Sequence, residues 1–434
     1  MSKIFSFVFA FFRVVSGFLS VENPPIFPGE ERYFKNLRQI TFSGVNSEAY
    51  FSFDGSQITF QSTDYGFGCD QIFRFKNVTK DDMSSKRPQL ISTGLGRTTC
   101  SYFLPDDQKI LYASTHAKSP LCPLPTCSPQ VTSKNATLKQ LCDSLPYVWD
   151  IYPTYDIYVT SLDAVIQKRL TFEDGYDAEG TVSPKGDLIV YTSMASGDLD
   201  LWSMRLDGTH KRRITSRLGY EGGAFFSPDG RKLIFRAWEP KSRSEIDQYK
   251  KLLSFAFTNG IEAWNLDSSD GEPQIRQITN LGGSNWAPFY FQDNCRVIFS
   301  SNFKDPALLN FQLYAVDTCG PDLNLRQITN GSSFNSFPMF SPPDGKYLIF
   351  ASTRNSSSFD MSSPKSFASK NTGFNLFLAE WKDDAFQNRI SFVYANIRIF
   401  SNAMLIVFII FSIFSILSFY RFKYANNAFK KLQI

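Results

Sequence analysis

Apolar and polar positions in residues 225–235, FFSPDGRKLIF, set a pattern that the rest of the chain repeats. Two apolar runs flank a tight turn. Pro228 fixes its own backbone angle, Asp229 hydrogen-bonds nearby backbone, and Gly230 supplies the positive φ that other residues resist. The run Leu233 to Phe235 predicts a strand buried on both faces. The phrase returns as AYFSFDGSQITF from Ala49, SYFLPDDQKILY from Ser101, GTVSPKGDLIVY from Gly180, PFYFQDNCRVIF from Pro288 and PMFSPPDGKYLIF from Pro338. Recurrence at this spacing marks a stacked or radial repeat. A third strand follows each pair: IFRF from Ile72, DIYVTSL from Asp156, DLWSMRL from Asp200, IEAWNL from Ile261, FQLYAV from Phe311 and NLFLAEW from Asn375. A fourth, short segment then reads QLIS (89–92), KRLTF (168–172), RRIT (212–215), RQIT (276–279) or RQIT (326–329).

The last repeat lacks that fourth segment, and a spare one, LRQITF (37–42), precedes the first repeat. If the spare strand completes the last sheet, the array closes on itself and leaves no exposed sheet edge. The expected fold is therefore all-β: a six-bladed β-propeller over 33–381, closed by its N-terminal strand. A pair of β-sandwiches would not explain the spare strand at one end and the vacancy at the other. The phrases QITFSGVNSEAYFSFDG, STDYGFGCDQIF, GRTTCSYFLPD, YDAEGTVSPKGDLIVYTS and YEGGAFFSPDG resemble the TolB-like propeller family, especially exported bacterial proteins built only of such repeats. The resemblance covers about 37–381 and implies the fold. It does not imply one function, because related propellers dock proteins, gate substrates or act as lyases. The chain departs from the family pattern at QDNC in blade 5 and at the inserted Pro343 in blade 6.

The ends differ from the repeats. Residues 1–20 hold a basic start, an apolar run and small residues, as a secretory signal peptide does, with Arg13 leaving a retained signal anchor as the alternative. Residues 399–420 carry no charge and are long enough to span a bilayer as one transmembrane helix, a membrane anchor that sets the chain apart from the family pattern. Arg421, Lys423, Lys430 and Lys431 follow it, so the positive-inside rule places a cytoplasmic tail at 421–434, a juxtamembrane linker at 382–398, and the propeller in the secretory lumen or outside the cell, as a single-pass type I membrane protein. Over 434 residues, 45 Lys and Arg balance 41 Asp and Glu, which gives no basic surface for nucleic acid. Seven cysteines suit an oxidising compartment. Sequons stand at Asn77, Asn135, Asn330 and Asn355, the glycosylation candidates.

Strand directions place the candidate site. Label the strands of a blade a to d from the inside out. Strand a runs down to the turn, so the b–c loops share a face, the mouth, with the entries to strand a. Every large insertion is a b–c loop: 116–155, 238–259, 302–310 and 354–371. Six residues before the turn serine position stand Asn46, Thr98, Asp177, Glu221, Asn285 and Asn335; four before it stand Glu48, Cys100, Glu179, Gly223, Ala287 and Phe337. A ligand-binding ring of Asn46, Glu48, Thr98, Asp177, Glu179, Glu221, Asn285 and Asn335 at the mouth is expected, with His116 as a further ligand-binding candidate and with the alternative that these groups only bond the backbone. No cofactor is implied and no metal site is assigned; carboxylates and amides converging at the channel mouth could hold a divalent cation or the amine of a ligand. His116 lies at the start of an insertion on the mouth face and His210 on the opposite face, so they share no metal or proton relay.

Among the cysteines, Cys295 and Cys319 end neighbouring strands and form one candidate disulfide, Cys69 and Cys100 a second, while Cys122, Cys127 and Cys142 share one insertion and leave one thiol over. The chain has no G-x-S-x-G elbow, no H-E-x-x-H and no room for a hydrolase domain at either end. The leading expectation is a non-catalytic platform that binds a protein or peptide through its mouth. The alternative is a hydrolase or lyase acting on a peptide or carbohydrate in the funnel, with metal assistance from the carboxylates.

Overall fold

Each turn phrase folds through its own polar side chains. In blade 4, Ser227 Oγ donates to Asp229 Oδ1 at 2.6 Å, Gly230 N–H returns to Ser227 O at 2.8 Å, and Gly230 takes φ 66°. Where blade 5 lacks this glycine, Asn294 adopts φ 60°, a conformation that asparagine tolerates. The turns also tie blades together: Asp107 of blade 2 accepts the backbone N–H groups of Phe53 and Asp54 at 2.7 and 2.9 Å, and Asn294 Oδ1 accepts that of Asp229 at 2.8 Å.

The structure, a computed structural model, describes residues 24–382 except 145–148, 255–256, 259–261, 268–273, 357–358, 361 and 363–372. The expected signal segment and the apolar stretch 399–420 lie outside the described residues. Among the described residues no helix is long and apolar enough to cross a membrane. They form an all-β propeller, with six four-stranded antiparallel sheets. The inner strands are Asn46–Phe51, Thr98–Phe103, Asp177–Val182, Tyr220–Phe226, Asn285–Tyr290 and Asn335–Phe340. Each contacts the next, and the sixth contacts the first. The sixth sheet is completed by Phe34–Gln39, which pairs antiparallel with Asn375–Trp381.

That strand begins three residues before the expected LRQITF and ends at Gln39; beyond it Ile40 N–H still bonds Leu376 O at 2.7 Å, and Thr41 turns its hydroxyl to strand c. The Thr41 hydroxyl accepts Leu376 N–H at 2.9 Å, and the hydroxyls of Thr171, Thr215 and Thr329 accept the matching amides of strand c in blades 2, 3 and 5. The RQIT phrase thus clips strand d to strand c. Strand b is buried along nearly its whole length, as the apolar runs predict; Ile58, Phe60, Ile234, Ile298, Phe299 and Ile349 are fully enclosed. The core is accordingly divided into wedges between neighbouring blades, one of them Phe34, Leu37, Phe291, Ile298, Phe340, Phe350 and Phe377 between blades 5 and 6. Dividing the apolar surface this way makes each blade depend on both neighbours.

Two of the insertions carry helices among their described residues. That of blade 2 carries helices Pro129–Thr132 and Ala136–Ser144, and that of blade 4 a helix Arg243–Ser254. A two-residue strand from each insertion, Trp149–Asp150 and Phe257–Thr258, pairs antiparallel, and Leu138 packs with Leu252. The two insertions therefore join above blade 3, and Tyr249 of the helix Arg243–Ser254 donates to Asp198 in the b–c loop of blade 3 at 2.6 Å.

Three disulfides hold the described chain: Cys69–Cys122, Cys127–Cys142 and Cys295–Cys319. The Cys295–Cys319 expectation is met. The pairing of Cys69 with Cys100 is not: Cys69 staples the blade 2 insertion through Cys122, and the thiol left over is Cys100, buried on the inner strand of blade 2. The register shift at Cys100 turns its side chain toward the channel rather than toward the blade 1 loop that holds Cys69. Three disulfides belong to an oxidising setting, the secretory pathway or the cell exterior.

Candidate functional site

Every inner strand carries a register shift at one place, between the positions five and two before the turn serine. The residue within that shift takes a left-handed conformation in all six sheets: Glu48, Cys100, Glu179, Gly223, Ala287 and Phe337, with φ between 49° and 58°. A bulge re-aims the side chain it contains. These six residues line a cavity on the channel axis, together with Tyr50, Thr181, Phe225 and Arg236.

The positions six before the serine point elsewhere. Asn46, Thr98, Asp177, Glu221, Asn285 and Asn335 are all buried, and the bonds they make run within their own blade or to the blade before. Asn46 Nδ2 donates to Ser43 O and Asn375 Oδ1 at 2.8 and 3.2 Å, Thr98 Oγ1 to Asp70 O at 3.0 Å, Asn285 Nδ2 to Gly282 O at 3.2 Å, and Asn335 Nδ2 to Gln312 Oε1 at 3.0 Å. Of the expected ring, then, the structure brings Glu48 and Glu179 together at the axis and sets the other six between blades. His116 is half-buried outside the channel, its Nδ1 2.7 Å from Ser114 Oγ and its ring 4.4 Å from that of Tyr158; burial and the Arg169 charge hold its pKa below the usual value.

Two carboxylates at one place acquire different characters. Glu179 is saturated with donors: Thr192 Oγ1 at 2.7 Å, Tyr220 OH at 2.8 Å, Gly223 N–H at 2.7 Å and the Arg236 guanidinium. Arg236 also lies 5.3 Å from the centre of the Tyr220 ring. Gly222 has no side chain because the Glu179 carboxylate and the Tyr220 hydroxyl occupy the space a Cβ would need. Glu48 has poorer partners, Tyr50 OH at 3.4 Å and the Cys100 thiol, and burial pushes its pKa up to about 7. Burial and the nearby Glu48 raise the Cys100 thiol well above its ordinary value, so it stays protonated and is a poor nucleophile.

Below this level the axis is closed by rings. Tyr50, Tyr102, Phe225 and Phe289, from blades 1, 2, 4 and 5, pack at tilted and edge-on angles with centroid separations of 5.3 to 6.4 Å. The cavity above them measures about 30 Å³, room for one or two waters. Among the described residues no three His, Cys, Asp or Glu side chains gather as a metal ion requires. The arrangement is a fixed ion pair beside a carboxyl that gains or loses a proton near neutrality. The partners of Glu179 were missed from sequence. Arg236, a cation inside the apolar run KLIFRAW, was the available signal.

No family model matches the chain, and no curated protein matches it. Solved structures similar to it include a putative TolB from Agrobacterium tumefaciens (16% identity, TM-score 0.44, covering 78% of this chain and 90% of that one). TolB from Acinetobacter baumannii is another (15% identity, TM-score 0.43, 79% and 66%). An oligogalacturonate lyase from Vibrio parahaemolyticus is a third (12% identity, TM-score 0.43, 79% and 93%). By its own strand order and turn phrases, the chain is a β-propeller that resembles the TolB-like kind.

Proposed function

We propose that the mouth face binds a protein or peptide, and that the propeller acts as a platform rather than an enzyme. The observation behind this reading is where large apolar side chains reach solvent. Phe42, Leu95, Phe172 and Leu218 are exposed on loops that lead into inner strands, and Leu121 and Leu124 on the blade 2 insertion. All six belong to mouth-face segments. Leu121 is 74% and Phe172 64% exposed, too much for side chains that serve only the core. Leu95 and Leu121 are held near each other by the Gly96 N–H to Pro120 O bond of 2.9 Å and by the Cys69–Cys122 bridge. Six of the eleven large apolar side chains exposed among the described residues lie on this face, including the two most exposed, while Val165, Leu188, Leu323 and Leu325 are exposed on the opposite one; a cluster of exposed apolar side chains marks an interaction surface. The narrow, ring-sealed channel supplies no pocket for a sugar or peptide, so the reading places the partner on the rim and the insertions.

In this proposal residues 399–420 anchor the platform in a membrane and the propeller faces the lumen or the exterior. The test is proximity labelling in cells with the full-length chain and with Leu121→Asp/Leu124→Asp/Phe172→Asp. The substituted surface should lose the principal labelled partners while its melting temperature stays near that of the parent. An unchanged partner set would refute the proposal.

A further inference from the structure

Neighbouring blades are fastened near the mouth by three positions: the first residue of strand c, the Thr or Ser of the RQIT phrase, and the residue six before the turn serine of the next blade. Where the first and third are amides, the fastening is neutral. Asn46 Nδ2 donates to Asn375 Oδ1 at 3.2 Å between blades 6 and 1, and Asn335 Nδ2 donates to Gln312 Oε1 at 3.0 Å between blades 5 and 6. On both flanks of blade 3, acids stand in both places: Asp156 with Asp177, and Asp200 with Glu221. All four are buried. Ionised carboxylates only accept, so neither pair can form the bond the amides make. At the second flank the consequence is visible: Asp200 Oδ1 and Glu221 Oε2 are both buried without a hydrogen-bond partner.

We propose that each flank of blade 3 holds one proton, shared between Asp177 and Asp156 on one side and between Glu221 and Asp200 on the other, so that the seating of blade 3 depends on pH. One proton turns a repelling pair into a donor and an acceptor, and at the second flank it supplies both orphaned oxygens.

The surroundings assign the protons. Asp156 accepts from Arg169 Nη2 at 2.6 Å and from Thr171 Oγ1, and Asp200 accepts from Arg213 Nη2 at 2.7 Å and from Ser196. Burial raises both carboxyls while the cation beside each lowers it, so these two serve as the acceptors of the pairs. Asp177 faces Ser193, Tyr191, Glu173 and Lys211, and Lys211 is already paired with Glu173 at 2.7 Å. Glu221 faces Thr215, Asp198, Arg217 and Tyr249. Burial, ahead of these neighbours, pushes Asp177 up to about 7 and Glu221 up to about 8, so these two carry the protons. The sign follows. The closed state binds more protons than the opened one, so seating is firmest in acid and weakens as pH rises from the ordinary carboxyl range to about 8, then levels off.

The experiment is deuterium exchange of the full-length chain at about pH 5, 6.5 and 8, with blade 6 amides correcting for intrinsic exchange. Opening of blade 3 should rise relative to blade 6 by up to about tenfold per pH unit for each flank across this range. Asp177→Asn/Glu221→Gln, which installs the amides used at other junctions, should abolish that excess. A parent protein in which blades 3 and 6 respond alike to pH overturns the proposal, whatever the variant does. A folded double variant that keeps the excess overturns it equally.

Discussion

Removing the cation of Arg354 should destabilise the ring at its closure. Arg354 and Glu30 form an ion pair with both side chains fully buried, Nη1 to Oε2 at 3.1 Å and Nη2 to Oε1 at 3.3 Å. The guanidinium also donates to Pro25 O, Asn335 Oδ1 and Ser352 Oγ, and it lies 4.9 Å from the centre of the Phe350 ring. Glu30 in turn accepts the amides of Phe27 and Asn330 at 2.9 and 3.0 Å. The pair thus ties the lead-in to blades 5 and 6, beside the sheet that the N-terminal strand completes. With Arg354→Met the Glu30 carboxylate keeps two amide donors and loses its counter-ion in an apolar wedge. Breaking a buried pair costs about 3–5 kcal/mol, whereas replacing both partners with neutral groups costs much less. In a propeller of about 350 residues that is roughly 4–7 °C in melting temperature. The assay is thermal unfolding of the full-length chain followed by tryptophan fluorescence, for the parent, Arg354→Met and Glu30→Gln/Arg354→Met. The double variant should recover at least half of the loss. A single variant within about 1 kcal/mol of the parent, or a double variant no better than the single, would refute the reasoning.

Other outcomes follow from the same structure. Glu48 binds its proton more tightly folded than unfolded, so it makes stability fall by about 3 kcal/mol as pH rises from 4.5 to about 7; Glu48→Gln should remove that part of the slope in melting temperature against pH, and an unaltered slope would contradict the assignment. Cys100 should resist alkylation in the folded protein and react only after unfolding, as read by mass spectrometry; rapid labelling of native protein would show that the channel is open. Of the sequons, Asn77, Asn135 and Asn355 are exposed, the last with its amide on Gln39 Oε1 at 2.7 Å, whereas the Asn330 amide donates to Pro28 O at 3.0 Å within the ring seam. Glycopeptide mapping should therefore find glycans at Asn77 and Asn135 and none at Asn330, and an occupied Asn330 would mean that the seam forms after glycosylation.

The chain by itself determined the repeat, the turn chemistry and the strand that the last sheet lacks, because those depend on neighbours a few residues apart: Pro228, Asp229 and Gly230 make a turn wherever they stand, and an apolar run such as LIF becomes a buried strand. The spacing of Asn46, Glu48 and their counterparts was equally legible, but not their destinations. Simple alternation puts residues two apart on one face. The bulge in each inner strand breaks that rule, sends Glu48 and Glu179 to the axis, and leaves Asp177 and Glu221 between blades. Tertiary structure alone decided what each acid became. Arg236, Tyr220, Thr192 and Gly223 converge on Glu179 from blades 3 and 4, while Glu48, with the same side chain at the same position, is short of donors and burial pushes its pKa up. It decided the cysteines as well, since Cys69 found Cys122 across an insertion whose path no local pattern specifies. Local sequence sets conformations over a few residues, whereas burial and the company a charged group keeps are properties of the closed ring.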